Sequence, residues 1–299
     1  MIFEQLVEAV TRCTSVKRSL HGICFALLTS AAFIAATPAR AADEVNEVRL
    51  YALDGGLIET KDMGMFSDTG EYDGKPGKLV DPCFLIRGPK GILLWDTGLG
   101  DTLAEKKNGV DDVGGHMSVS TTLADQLNAI GLTPADVTYV AFSHFHFDHT
   151  GNANLFTSST WIINKAELNW ALGDPTPAGV EPTTFSGYKT AKTQMIDKDY
   201  DVFGDGSVRI LKAPGHTPGS QVLEIKLKDS GTVILSGDLY HTLANRTHRR
   251  VPSFNYSRAD TLASIDRIET IVKNTKARFV TQHSPEDVQS LPKFPGYLH

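Results

Sequence analysis

The sequence predicts a layered α/β protein, and three observations predict it. Short apolar runs of strand length recur from about residue 47 to residue 281. They are interrupted by segments with the 3.6-residue spacing of helices. Histidines and aspartates sit where several of those runs end, as they do when a site is built at the edge of a sheet. No linker or low-complexity tract divides the chain, so one domain is expected over residues 42–299.

Residues 47–53 read as a first strand. The Gly- and Asp-rich stretch 54–78 then reads as a loop holding Met63, Met65 and Phe66, and a connection that long is expected to cover a binding site. Residues 83–87 and 91–95 form a hairpin across Gly88-Pro89-Lys90-Gly91, closed by Asp96-Thr97-Gly98. Residues 121–130 are helical, with Leu123, Leu127 and Ile130 on one face and Gly131 as the stop. A buried strand over 137–142 leads into a His-rich segment. A strand over 160–164 and a helix over 165–172 follow, and the Pro/Gly-rich piece 173–187 reads as a surface insertion. In the second half, 208–211, 221–227 and 232–236 read as strands. Residues 258–273 form an amphipathic helix with Leu262, Ile265 and Ile268 inward, and 277–281 is the last strand.

The first 41 residues read as a signal peptide rather than as part of the domain. Lys17 and Arg18 supply the positive region, residues 25–36 the apolar region, and Ala39-Arg40-Ala41 the cleavage signature. The stretch before Lys17 is long for such a leader, which points to a later translation start. An uncleaved anchor is the rival, but the apolar run falls short of the ~20 residues a membrane span needs. The expectation is an exported protein, periplasmic or secreted, with no stable membrane insertion once the leader is removed. Of three cysteines, Cys13 and Cys24 lie in the leader, leaving Cys83 without an internal disulfide partner. Its apolar surroundings mark it as a small buried hydrophobe. The net charge of −6 and the absence of a Lys/Arg block argue against nucleic acid as a partner. Oligomer formation stays open.

The chemistry is concentrated in Ser143-His144-Phe145-His146-Phe147-Asp148-His149-Thr150-Gly151. In an extended segment alternate side chains share a side, so His144 and His146 can grip one ion while Asp148 and His149 turn to a second. Imidazole and carboxylate at this density suit zinc or another first-row divalent ion. Incidental loop histidines would be the bland alternative, but three histidines in six residues between a buried strand and a Gly turn weigh against it.

This segment resembles the H-x-H-x-D-H motif of the metallo-β-lactamase superfamily. Three further segments resemble that family's remaining ligand loops, in its order: Gly215-His216-Thr217-Pro218-Gly219, Ser236-Gly237-Asp238 and Gln282-His283-Ser284-Pro285-Glu286. The early Asp96-Thr97-Gly98 resembles a turn whose aspartate orients ligands. The resemblance covers nearly all of the chain behind the leader. It implies a four-layer αββα sandwich holding two divalent metal ions, with zinc the default. One ion would take His144, His146 and His216, and the other Asp148, His149 and His283, with Asp238 bridging them.

An aspartate at 238 disfavours antibiotic hydrolysis within that family. The wording of the loops resembles N-acyl-homoserine lactonases, with Ser284 departing from the usual Asp. The resemblance therefore implies a quorum-quenching lactonase that hydrolyses a small acyl lactone with water activated between two ions, needing no serine or cysteine nucleophile. Asp148 would relay a proton to the leaving oxygen. Where such lactonases place a carbonyl-assisting Tyr, this chain has His241, with Tyr240 one residue early. His241 is the expected donor and Tyr240 the reserve. Met65, Phe66, Phe147 and Leu239, with Met63 and Phe145 behind them, are candidates for an acyl groove, and core packing is an equal alternative for the group. His116 and His248 read as surface or loop residues. The rivals are another hydrolase of the same fold, such as a thioesterase, phosphotriesterase or aryl esterase, or a non-catalytic metal-binding envelope protein.

Overall fold

The computed structural model describes residues 45–299 apart from residue 113, so the expected leader, with Cys13 and Cys24, lies outside the described residues. Strands β1 (Arg49–Thr60), β2 (Gly77–Gly88) and β3 (Gly91–Trp95) form an antiparallel meander. A small hairpin of β4 (Val110–Asp112) and β5 (Gly115–Ser118) adds to the far end of β1. Helix α1 (Leu123–Ala129), N-capped by the Thr122 side chain, leads to β6 (Tyr139–Ala141), which runs parallel to β3. The short α2 (Phe147–Thr150), then β7 (Thr160–Asn164), α3 (Lys165–Ala171) and β8 (Lys192–Ile196) complete an eight-stranded sheet in the order β4-β5-β1-β2-β3-β6-β7-β8.

The second sheet is built from β9 (Tyr200–Asp201), β10 (Val208–Lys212), β11 (Gln221–Leu227) and β12 (Gly231–Leu235), all antiparallel. Helices α4 (Leu243–His248) and α5 (Arg258–Thr275) return the chain to β13 (Arg278–Val280), which pairs parallel with β12, and α6 (Pro285–Gln289) follows.

Alternation along the strands sets the layers. Phe84, Ile86, Leu93 and Trp95 of the first sheet meet Ile210, Leu223, Ile225, Val233 and Leu235 of the second, which makes the central core. The intervening residues point outward under helices. Leu85, Leu94 and Val140 pack with Leu123 and Leu127 of α1, and Leu211, Val222 and Ile234 pack with Ile265 and Ile268 of α5. Both sheets are thus covered on both faces, which is why their strands read as continuous apolar runs. The result is the four-layer αββα sandwich, and Cys83 is fully buried within β2.

Two boundaries differ from the sequence expectation. Strand β1 does not stop at Leu53 but continues to Thr60 through a register shift between Asp54 and Leu57. Gly55 and Gly56 fall in the expected loop, yet here they form a bulge opposite Asp81, beside the pair of Asp54 with Pro82, which has no N–H to offer. A Cβ on Gly55 would stand 2.3 Å from the Asp81 carbonyl oxygen, so only glycine fits. The expected long loop shrinks accordingly to residues 61–76. The second difference is the 173–187 piece, which is no mere surface insertion. It buries Phe185 completely, and its Gly179 carbonyl accepts the Phe147 N–H at 2.8 Å.

Candidate metal centre

Six histidines and three aspartates from five separate segments converge at one edge of the sandwich. His144, His146, Asp148 and His149 follow β6, His216 lies between β10 and β11, Asp238 and His241 follow β12, and His283 follows β13. Asp81 comes from β2. Local ties hold the loops in place. Gln221 at the start of β11 donates from its backbone to the Ser143 carbonyl and from its side chain to the Phe142 carbonyl. Glu167, buried at the start of α3, accepts from Phe145 N (2.9 Å), Thr217 Oγ1 (2.6 Å) and Gly219 N (2.9 Å), joining the loop of His144 to that of His216.

Two groups of four ligand-type side chains result, each with its donor atoms within 4.8 Å of one another. The first contains His144, His146, His216 and Asp238. His144 Nε2, His146 Nδ1 and His216 Nε2 form a triangle, with one side of 2.9 Å and two of 3.1 Å. Three converging ring nitrogens cannot all be satisfied by hydrogen bonds to one another, whereas a cation ~2.0–2.1 Å from each accounts for the arrangement. The second group contains Asp81, Asp148, His149 and His283. Asp238 faces both groups. Its Oδ2 lies 3.2 Å from His216 Nε2, and its Oδ1 lies 3.3 Å from His149 Nε2 and 2.9 Å from His283 Nε2.

The outer nitrogens are held by acceptors that aim the inner lone pairs at the centre. His283 Nδ1 donates to the Val80 carbonyl at 2.8 Å, His216 Nδ1 to Asn255 Oδ1 at 3.0 Å, and His149 Nδ1 to Asp96 Oδ2 at 3.0 Å. Asp96 is fully buried, sits at φ 58°, and also accepts from Ser143 N and Gln282 Nε2, each at 2.6 Å. A non-glycine residue in that backbone region directly behind a ligand is the kind of strain that a fixed ligand support sustains.

The electrostatics suit a cation. Burial keeps the first triad neutral, pushing His144 well down, His146 to about 3 and His216 to about 4. Burial acts the same way on His149 and His283 but is outweighed. Asp148 and Asp238 hold His149 well up, and Asp238 lifts His283 to about 9. Burial, then the Asp148 carboxylate, pushes Asp81 well above the usual carboxylate range. Among the buried polar atoms without a hydrogen-bond partner are His149 Nε2, Asp238 Oδ1 and both oxygens of Asp81. Inward-facing atoms of this kind cost free energy unless something coordinates them, so the residues fit a pair of divalent cations.

The centre opens into a cavity of about 650 Å³. Ile58, Phe66, Leu79, Leu99, Phe147, Trp170, Val180, Phe254 and Tyr256 give it an apolar lining, with Phe66 packed edge-on against Phe254. His241 lines it as well, with Nε2 3.0 Å from Asp238 Oδ2 and its ring packed against both Phe66 and Phe254.

Residues 77–283 match the profile of the metallo-beta-lactamase superfamily. The chain belongs to this superfamily. Over 269 residues it is 31% identical to the N-acyl homoserine lactonase AttM of Azorhizobium caulinodans, covering 85% of this chain and 99% of that protein. It is likewise 31% identical over 232 residues to the N-acyl homoserine lactonase AiiA of Bacillus thuringiensis subsp. kurstaki, covering 75% of this chain and 90% of that one. Among solved structures it is similar to an N-acyl homoserine lactone hydrolase with the product N-hexanoyl-L-homoserine at its catalytic metal centre. There the TM-score is 0.73 at 28% identity, over 85% of this chain and all of the other.

Within this metallo-beta-lactamase fold the structure sorts the sequence candidates. It brings together His144, His146, Asp148, His149, His216, Asp238 and His283, and adds Asp81, which no motif marks. Tyr240 does not reach the centre. Its hydroxyl donates to Glu269 of α5 at 3.2 Å, and its ring packs on Phe279, because alternation turns it to the helix layer while His241 turns inward. Leu239 is also corrected, since it is buried in the α5-facing core. Phe145 is core, packed on Phe142 and Phe185, and Met63 packs beneath the loop without lining the cavity. Met65, Phe66 and Phe147 do line it. Val180, Phe254 and Tyr256, which also line it, come from irregular segments without periodicity, and Trp170 comes from the last turn of α3, where no motif marks it. His116 sits in β5 beside Asp111, and His248 is exposed at the end of α4.

Proposed function

We propose that this chain is a dinuclear metal-dependent hydrolase that opens the lactone ring of N-acyl homoserine lactones. The observation that carries the reading is a single carboxylate, Asp238, facing two ligand groups at the floor of an apolar cavity of about 650 Å³. A small polar ring and a flexible acyl tail match a site with a few polar groups at one end and apolar walls beyond. The relatives named above support the substrate class.

His144, His146 and His216 would hold one ion, Asp148, His149 and His283 the other, and Asp238 would hold both. Ions so held would supply Lewis acidity and make water a nucleophile near neutral pH. The chain's own residues do the rest. Asp96, Asn255 and the Val80 carbonyl keep three rings oriented. His241, outside both groups yet on the cavity wall, donates to the lactone carbonyl oxygen. Asp148, half-buried at the cavity, takes the proton released as water adds to the carbonyl carbon and passes it to the ring oxygen as the carbon–oxygen ring bond breaks. Phe66, Phe147, Phe254 and Val180 exclude water around the acyl chain. Each methylene buried there adds about 0.8 kcal/mol.

A turnover panel tests the reading. N-hexanoyl homoserine lactone, S-lactoylglutathione, an aryl ester and a phosphotriester are offered to the divalent-ion-loaded protein. The lactone is expected to be turned over fastest, and no lactone opening beside fast turnover of another member would overturn it.

Export after cleavage behind Ala41 is part of the same proposal, supported by the charged, apolar and Ala-x-Ala regions of the first 41 residues. No helix among the described residues is long and apolar enough to cross a membrane. N-terminal sequencing of protein recovered from the periplasm or medium should begin at Ala42. An intact leader on that protein would count against it.

A further inference from the structure

Among the described residues, Asp81 is the carboxylate within the two ligand groups that the motifs leave unassigned. It is 1% exposed, and neither of its oxygens has a hydrogen-bond partner. A carboxylate in that condition is among the costliest groups a protein can bury. Its position is nonetheless closely fixed. Asp81 itself lies opposite the Gly55-Gly56 bulge of β1, between the Asp54–Pro82 and Leu57–Val80 pairs, and Gly55 packs against its carbonyl. The preceding residue, Val80, exchanges two hydrogen bonds with His283, one from its N–H at 3.2 Å and one to its carbonyl at 2.8 Å. The strand that carries Asp81 is therefore the strand that sets the His283 ring. Its carboxylate lies within ligand range of Asp148, His149 and His283.

We propose that Asp81 is a further ligand of the second cation, so that this site presents three carboxylates and two imidazoles and takes a harder divalent ion than its three-imidazole neighbour. The first group offers three ring nitrogens and one arm of Asp238. The second offers Asp81, Asp148 and the other arm of Asp238 beside His149 and His283. Carboxylate-rich sites suit manganese, and imidazole-rich sites suit zinc and its neighbours. The inference rests on the two-cation reading but not on the lactone as substrate.

Metal binding tests it without reference to activity. Wild type, Asp81→Asn, Asp81→Val and Asp148→Asn are dialysed against zinc and manganese together and analysed by elemental mass spectrometry, with folding checked by circular dichroism. Wild type should hold two ions and take manganese into one site. Both Asp81 variants should keep the first ion and bind the second at least about 10-fold more weakly, as strongly supported ligands do when lost. Asp81→Val also removes the buried charge, so it remains informative if the Asn variant folds poorly. In Asp81→Cys loaded with cobalt(II), a thiolate-to-metal charge-transfer band should appear that cobalt-loaded wild type, with Cys83 buried in the same strand, lacks. Unchanged stoichiometry and metal preference in both Asp81 variants, with the second ion lost only from Asp148→Asn, would overturn the proposal alone. Fewer than two ions in wild type would overturn the reading beneath it.

Discussion

Replacing Asp96 by asparagine changes one atom of a fully buried side chain and tests how the centre is supported. Asparagine is among the residues best able to hold the φ of 58° found here, so the backbone adds little to the effect. Asp96 Oδ1 accepts the Ser143 N–H, while Oδ2 accepts His149 Nδ1–H and the Gln282 amide. An asparagine oxygen can replace only one of these. If it takes the Oδ2 place, the new amide meets the Ser143 N–H, and a buried donor left unmade costs about 1–3 kcal/mol. If it takes the Oδ1 place, the amide donates to His149 Nδ1, which drives the ring proton to Nε2 and closes that lone pair to the second ion. With the charge also lost from the remaining bonds, the total is about 2–4 kcal/mol. For a domain of this size that lowers Tm by roughly 4–16 °C. The second ion should bind about 10–100-fold more weakly, the usual effect of losing a ligand's support. Thermal melts of the metal-loaded and chelated protein, with competition against a chromophoric chelator, read both quantities. An Asp96→Asn protein that melts within a degree of wild type and holds both ions equally tightly would refute the reasoning.

Asp238→Ala should lose both ions on dialysis, and retention of both by elemental analysis would sink the bridging role. His241→Phe should lower kcat on the lactone about 100-fold, in the range for loss of one oxyanion donor, while leaving metal content unchanged. Tyr240→Phe should stay within a few-fold of wild type, and the reverse order of effects would restore Tyr240 to the site. Glu167 is pushed up to about 7 by burial, from 4.5 in the unfolded chain. The folded state therefore binds its proton more tightly, and stability falls as pH rises from about 4.5 through 7. Urea unfolding should show the balance between wild type and Glu167→Gln moving toward the Gln variant over that window, and a pH-independent difference would contradict the assignment.

The sequence is most legible where the signal is local. The His144 to His149 segment, the His216, Asp238 and His283 loops and the apolar runs of β2, β3, β11 and β12 each declare themselves within a few residues. Strand β8 does not, because its first four residues are exposed and carry no alternation, so only pairing with β7 makes it a strand. Strand β1 misleads because a bulge and a turn both use Gly55-Gly56. Tyr240 and His241 show the limit well. Alternation predicts that they face opposite ways, but which one faces the metals depends on α5 covering the other side. Asp81 stays hidden for a similar reason, since its meaning lies in being brought beside Asp148 and His283 from a strand far away in sequence.

The most direct test of the account is the product itself. N-hexanoyl homoserine lactone is incubated with the protein loaded with divalent ions, with protein stripped by a chelator, and with stripped protein to which ions are restored. Mass spectrometry should find the lactone converted to a species heavier by one water with the loaded and restored protein only. An unchanged lactone, or conversion that persists after the ions are removed, would contradict the claim that two cations on these residues open the ring.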